Sequence, residues 1–277
     1  MATDYAGRLR RQALGPRIVT AVVGIPLLLA LLWLGGVWWA LLAAAIVVLA
    51  TMEFAVLRRL RRPAEVTLTI GALLVFALVA MGPRVPMGWI AMLWAVVLVV
   101  LGLMPFLRTG GSASSPAPSP ASVILGISYL AMPLGVLARW RLEVTALSVL
   151  AFFIVIWAND IAAYFVGLAV GRHKLAPRVS PGKSWEGAIG GLAGGLAAAL
   201  LLAGWLPLAR GQSALWAAAV TVVSQAGDLF ESALKRRAGT KDSGTLLPGH
   251  GGVLDRFDGV LLAAPVAFLL LRMLAGR

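Results

Sequence analysis

The chain contains no cysteine, which excludes disulfides, thiolate nucleophiles and cysteine-ligated zinc or iron–sulfur centres. Histidine is nearly as scarce, with two in 277 residues, and only 13% of residues are charged. Acids are the rarer sign, 11 Asp and Glu against 24 Lys and Arg. A soluble domain carries about 25% charged and roughly 45–50% apolar residues. Here 60% are hydrophobic and the mean hydropathy is +0.92. Apolar runs of about twenty residues recur along the chain, which predicts an all-α, polytopic membrane protein. The net charge of +13 raises nucleic acid as a partner. In a membrane chain such a charge reflects orientation and attraction to anionic lipid, so no nucleic-acid role is assigned.

The apolar stretches predict about nine transmembrane helices, near 18–34, 37–57, 66–82, 87–107, 122–139, 145–170, 184–206, 213–235 and 258–274. The basic segment before residue 18 and the long run after it read as a retained first span, not a cleaved leader. A Ser-, Pro- and Gly-rich linker, LRTGGSASSPAPSP at 108–121, divides the chain. It separates an N-terminal transmembrane part with its cytoplasmic linker (1–121) from a C-terminal catalytic part (122–277). With the N-terminus cytoplasmic, eighteen of the 24 basic residues fall in inner segments and six in outer ones. That bias follows the positive-inside rule and predicts a multi-pass protein of the cytoplasmic (inner) membrane. Both unusual loops, 171–184 and 236–257, then face the cytoplasm. GAIGGLAGG (187–195) spaces Gly190/Gly194 and Gly191/Gly195 four apart, a pattern for close helix packing.

Six aspartates exist, and five stand in the last 120 residues: Asp160, Asp228, Asp242, Asp255 and Asp258. Asp160 lies inside the apolar run FFIVIWANDIAAYFVGL, where an unpaired carboxylate costs at least about 2.5–3.5 kcal/mol, so it is expected to face a protein-lined cavity. Ser224, Asp228, Glu231/Ser232 and Lys235 recur at helical spacing and share one face. Asp255 and Asp258, three apart, share a face if the last helix begins near 255. Converging carboxylates without cysteine suit a hard, oxygen-loving cation such as Mg²⁺. Lys235, Arg236, Lys241, His250 and Arg256 surround those acids, a mixture suited to a metal–polyphosphate complex. The loop GRHKLAPRVSPGKSWEG (171–187) is also basic. Its SPGKS lacks the full phosphate-loop pattern and a preceding strand, so it is not read as one.

SALKRRAGTKDSGTLLPGHGGVLDRFD (232–258) closely resembles the signature of the phosphatidate cytidylyltransferases, also called CDP-diacylglycerol synthases. Ser232, Lys235, Arg236, Lys241, Asp242, Gly244, His250, Gly251, Gly252, Asp255, Arg256 and Asp258 fall in register with it. A second block, WANDIAAYFVGLAVGRHKLAPRVSPGKSWEG (157–187), is similar to another stretch of that family. The likeness covers residues 157–270 well, whereas the N-terminal half matches only in being hydrophobic.

The resemblance implies an integral membrane enzyme that converts CTP and phosphatidate to CDP-diacylglycerol and pyrophosphate with Mg²⁺, with a second cation as an option. It implies that Asp228, Asp255 and Asp258 hold metal, with Asp242 a further member. Lys235, Lys241 and Arg256 would offset phosphate charge, and His250 would bind phosphate or position its loop. Asp160 and Ser232 would serve as cavity or polar groups, and Arg178, Lys183 and Ser184, with Arg236, would meet substrate. Membrane lipid is a partner on this reading, and a homodimer is one candidate assembly. Three alternatives stay open: a transporter or channel, which explains the buried acids but not the charged glycine-rich loop; a different lipid phosphotransferase, such as a CDP-alcohol phosphotransferase or a polyprenol kinase; and a structural membrane protein, which leaves the shared carboxylate face unexplained. The D-G-x2-A-R pattern of CDP-alcohol phosphotransferases is absent.

Overall fold

The computed structural model describes residues 22–81, 94, 96, 120–246 and 251–276. The expected span near 87–107, His250 and most of the 108–121 linker lie outside the described residues. The helices are α1 (Val22–Leu34), α2 (Gly36–Leu57), α3 (Arg62–Met81), α4 (Pro120–Glu143) and α5 (Ala146–Val170). A small hairpin follows, β1 (Lys174–Ala176) antiparallel to β2 (Ser180–Ser184), then α6 (Trp185–Leu201), α7 (Arg210–Ala238) and α8 (Leu254–Leu274).

Among the described residues five helices are long and apolar enough to cross a membrane: α2, α3, α4, α5 and α8. The protein is therefore an all-α membrane protein in its architecture, with one local exception: the 171–184 segment expected as a loop contains the hairpin. Four of the nine expected spans are not in this set: the one near 87–107 lies outside the described residues, and three helices fall short in length or apolarity. The run at 184–206 gives only 17 helical residues before a 3₁₀ turn at Ala203–Trp205. The helix expected at 213–235 is 29 residues long but carries the polar face noted above.

Local chemistry sets the breaks. Gly35 (φ 62) separates α1 from α2, and an added Cβ there would stand 2.5 Å from Arg141 Nη2. That guanidinium closes the end of α1, Nε donating to Leu32 O at 2.8 Å and Nη2 to Trp33 O at 3.3 Å. Within α4 a π-helical turn spans Ile127–Ala131, and Pro133 follows it. Proline cannot donate to the carbonyl five residues back, Ser128 O. The Trp94 indole donates to that oxygen instead, at 3.0 Å.

One continuous apolar core joins α1 through α8, with Trp140 packed among Phe152, Trp216 and Phe268. The small-residue stripe does bring helices together: Cβ atoms at Gly190, Gly191 and Gly194 would clash with Val166, Asn159 and Ala162 of α5. Helices α7 and α8 run antiparallel, tied at one end by Gln212 Nε2 donating to Leu274 O at 3.0 Å and at the other by Lys235 and Asp255. The 23 residues from Gln212 to Lys235 correspond to about 35 Å of helix, slightly more than the apolar thickness of a bilayer. The charged groups discussed next gather at the second end.

Arg58, one of the eighteen basic residues counted towards orientation, is buried, and its Nη2 donates to Ser122 Oγ at 2.9 Å. Burial, and secondarily the charge of Arg237, hold its pKa below the ordinary guanidinium value. Arg59, Arg61 and Arg62 are exposed.

Candidate functional site

Four elements supply the site: the β1–β2 hairpin, the C-terminal half of α7, the start of α8, and Asp160 on α5. In the hairpin, Val179 N–H donates to Ala176 O at 3.1 Å, closing a turn with Pro177 in its second position. The turn leaves Arg178 exposed. Glu186 fastens the hairpin's root by accepting from the backbone of Arg172 (3.1 Å) and His173 (3.2 Å) and pairing with His173 Nδ1 at 2.6 Å. Ser184 was expected to meet substrate. It is 4% exposed, and its hydroxyl accepts the Gly187 N–H at 3.1 Å as the N-cap of α6, so its oxygen is spent on the helix.

The polar face of α7 divides into two ion pairs. Asp228 Oδ2 pairs with Lys183 of the hairpin, and Ser232 Oγ stands 3.4 Å from Asp228 Oδ1. One turn on, Lys235 Nζ lies 3.0 Å from Glu231 Oε1 and 2.6 Å from Asp255 Oδ1. Lysines 183 and 235, expected to face phosphate, thus neutralise carboxylates here. Arg236 donates to Val179 O (3.2 Å) and Thr240 O (2.9 Å), which links the end of α7 to the hairpin. Gly239, at φ 77, closes α7 with a left-handed turn, and Thr240 N–H returns to Lys235 O at 3.0 Å.

Asp255 and Asp258 both stand in the first turns of α8 but serve different neighbours. Asp255 Oδ2 accepts from Ser243 N (2.9 Å), Ser243 Oγ (2.9 Å) and Gly252 N (2.8 Å). Asp258 Oδ1 accepts from Gly259 N at 2.7 Å, and its charge is within electrostatic reach of Asp228 and Asp160. Asp160 is braced by the buried Asn159, whose Nδ2 donates to it at 2.9 Å while its Oδ1 accepts from Gln225 at 2.7 Å. Lys241, Asp242 and Arg256 are exposed around this centre.

Asp160, Asp228, Glu231, Asp255 and Asp258 therefore form one acidic group, and among the described residues the ammonium groups paired with it are Lys183 and Lys235. Five carboxyl groups thus stand against two paired ammonium groups, and the others are neutralised by protons or by a bound cation. Among the described residues Glu231 has no donor other than the Lys235 ammonium, and the fully buried Tyr129 hydroxyl, which stands near the same acids, lacks a hydrogen-bond partner. Buried charge of one sign is stable only when countered. An oxygen-rich, proton-donor-poor pocket fits a hydrated divalent cation, whose waters supply donors. No group of three His, Cys, Asp or Glu among the described residues is drawn tightly enough to form a ready metal cage. Asp255 in particular is turned towards lysine and backbone amides.

Several participants escaped the sequence reading. Glu53 on α2 reaches this end of the bundle, and Asn159, Gln225 and Ser243 tie the acids down. Glu53 was findable, since an acid inside the run LLAAAIVVLATMEFAVL is subject to the same cost that drew attention to Asp160.

Residues 15–274 match the cytidylyltransferase family. The phosphatidate cytidylyltransferase of Brucella suis biovar 1 (strain 1330) is 38% identical over 255 residues, covering 91% of this chain and 91% of that protein. The phosphatidate cytidylyltransferase of Thermotoga maritima is 34% identical over 245 residues, 85% of this chain and 88% of that one. That of Mycobacterium bovis is 33% identical over 289 residues, covering 98% and 91%. Similarity thus runs well beyond residues 157–270 and into the N-terminal helices.

Proposed function

This chain belongs to the cytidylyltransferase family, and from that premise and the acidic cluster we propose that it moves the cytidylyl group of CTP onto phosphatidate at the cytoplasmic membrane face. It is a nucleotidyltransferase by family. The observation that carries the finer reading is the surplus of carboxyl groups over paired lysines where α5, α7, α8 and the hairpin meet. A structural ion-pair network has no use for more carboxyl groups than paired cations. A site for a cation and a triphosphate has.

In this reading Asp228 and Asp258 hold Mg²⁺, with Asp255 behind them, and the charge balance admits a second cation. When bound, the cation offsets triphosphate charge and makes the α-phosphorus more electrophilic. A phosphatidate oxygen forms a bond to that phosphorus while its bond to the α,β-bridging oxygen breaks, and the electron pair departs with pyrophosphate. The attacking oxygen is already anionic, so no side chain has to remove a proton. Lys183 exchanges Asp228 for substrate phosphate, and Arg178, Lys241 and Arg256, exposed at the rim, attract the polyanion. Asp160 and Ser232 line the cavity, His250 contributes from its glycine-rich loop, and Asp242 stays near the rim.

The location follows from charge. Lys235, Arg236, Arg237, Arg58 and the basic hairpin belong to the site's end of the bundle, the larger basic set of the chain. On this account the N-terminus is cytoplasmic and nine spans are completed by α1, α6, α7 and a helix near 87–107. Purified protein given CTP, phosphatidate and Mg²⁺ should release pyrophosphate and form CDP-diacylglycerol. Asp228→Asn and Asp258→Asn should each lower turnover at least about 100-fold while inserting normally. Near-normal rates in both, or turnover with ATP in place of CTP, would overturn the assignment.

A further inference from the structure

The last helix begins without a cap of its own: Val253 precedes it in helical geometry and offers no side-chain acceptor. Helices leave their first N–H groups unsatisfied, and an acceptor there is required when they are buried. The acceptor comes from 200 residues away. Glu53 Oε1 accepts from Val253 N at 2.8 Å, and Oε2 accepts from Leu254 N at 2.9 Å. Glu53 is 4% exposed. A carboxylate at this point also faces the positive end of the helix dipole.

The same carboxylate reaches Asp255. Ser243 Oγ stands 2.9 Å from Glu53 Oε2 and 2.9 Å from Asp255 Oδ2. A hydroxyl has one proton, so it donates to one acid at a time and holds the two carboxylates at a shared distance. Two signature glycines are explained as well. A Cβ at Gly244 would lie 2.8 Å from Glu53 Oε1, and one at Gly252 would collide with Ser243 Oγ and Glu53 Oε2. Bare backbone lets the acid sit against the loop.

We propose that Glu53 is a positioning residue for nucleotidyl transfer: it fixes where α8 starts and, through Ser243, which way Asp255 points, so that Asp258 one turn later faces Asp228. The proposal rests on the function inferred above. It gives the N-terminal helices a part in the site beyond membrane anchoring, since α2 supplies an acid that touches Ser243 at one end of the loop and Val253 at the other.

The test uses full-length protein in detergent. Hydrogen exchange of residues 252–254 reads the cap directly, and Mn²⁺ binding followed by electron paramagnetic resonance reads the acids it aims. In Glu53→Gln one amide donor must meet an N–H group or be turned away, so exchange there should quicken about tenfold or more. Mn²⁺ affinity should weaken about 10- to 100-fold, with kcat falling and the KM for CTP changing less. Glu53→Asp should recover part of the loss, and Glu65→Gln, at the start of α3, should match the parent. If Glu53→Gln does not fold, Ser243→Ala reads the same link and should weaken Mn²⁺ affinity about tenfold. Parent-like exchange and Mn²⁺ affinity in Glu53→Gln, or in Ser243→Ala, would overturn the proposal. A parent that neither binds Mn²⁺ nor consumes CTP would refute the proposed function instead, and the exchange result would still decide whether Glu53 caps α8.

Discussion

Replacing Lys235 with Met should destabilise the protein more than any other single change in the cluster. Its side chain is 11% exposed and lies between Glu231, at 0%, and Asp255, at 6%. Removing one partner of a buried pair costs about 3–5 kcal/mol, because the remaining charge keeps its desolvation penalty. The two acids will not share that cost equally. Asp255 retains two backbone N–H donors and the Ser243 hydroxyl, whereas Glu231, among the described residues, keeps no donor once Lys235 is gone. Most of the loss therefore falls on Glu231, and Lys235→Met/Glu231→Gln should regain about half of it. Glu231→Gln alone leaves Lys235 paired with Asp255 and should cost about 1–2 kcal/mol. Denaturant unfolding of the detergent-solubilised protein, run as a double-mutant cycle, measures all three and should give a coupling of about 2.5–4.5 kcal/mol. A Lys235→Met loss below about 1 kcal/mol, or a double variant no better than the single, would refute the reasoning and return Lys235 to the role of a free phosphate ligand.

Further outcomes follow from the same geometry. Gly191→Leu should prevent α5 and α6 from closing, since even a Cβ would stand 2.5 Å from Asn159 Oδ1; loss of folded protein by size-exclusion chromatography checks it. Gly182→Ala, in SPGKS, meets nothing within 4 Å and should change stability by no more than about 0.5 kcal/mol and leave turnover intact. Tyr129→Phe removes a buried hydroxyl with no partner, so stability without divalent ion should change by no more than about 1 kcal/mol while the Mg²⁺ concentration needed for half-maximal turnover rises. Arg58→Gln should lower stability by about 1–3 kcal/mol through Ser122, whereas Gln at Arg59, Arg61 and Arg62 should alter only insertion, read by protease protection of membrane vesicles.

Apolar runs and their charged flanks were enough to define a multi-helix membrane protein, because a bilayer selects segments by length and polarity, both properties of local sequence. The signature at 232–258 likewise carried the family by itself. Spacing also placed Asp228, Glu231 and Lys235 on one face, since helical periodicity is local. Which acid meets which cation is another matter. Asp228 faces Lys183 and Lys235 joins Glu231 to Asp255 because α7 lies between a hairpin and an antiparallel α8, and pairing energies depend on distances that spacing along one helix does not contain. The 184–206 run gives a shorter helix because a 3₁₀ turn at Ala203–Trp205, with Gly204 in it, ends it, a break that apolarity alone does not register. Tertiary structure alone decided that Glu53 caps a helix two hundred residues later. An unsatisfied helix end is completed by whatever acceptor the fold brings within hydrogen-bonding range, and the chain can deliver that acceptor from any distance along itself.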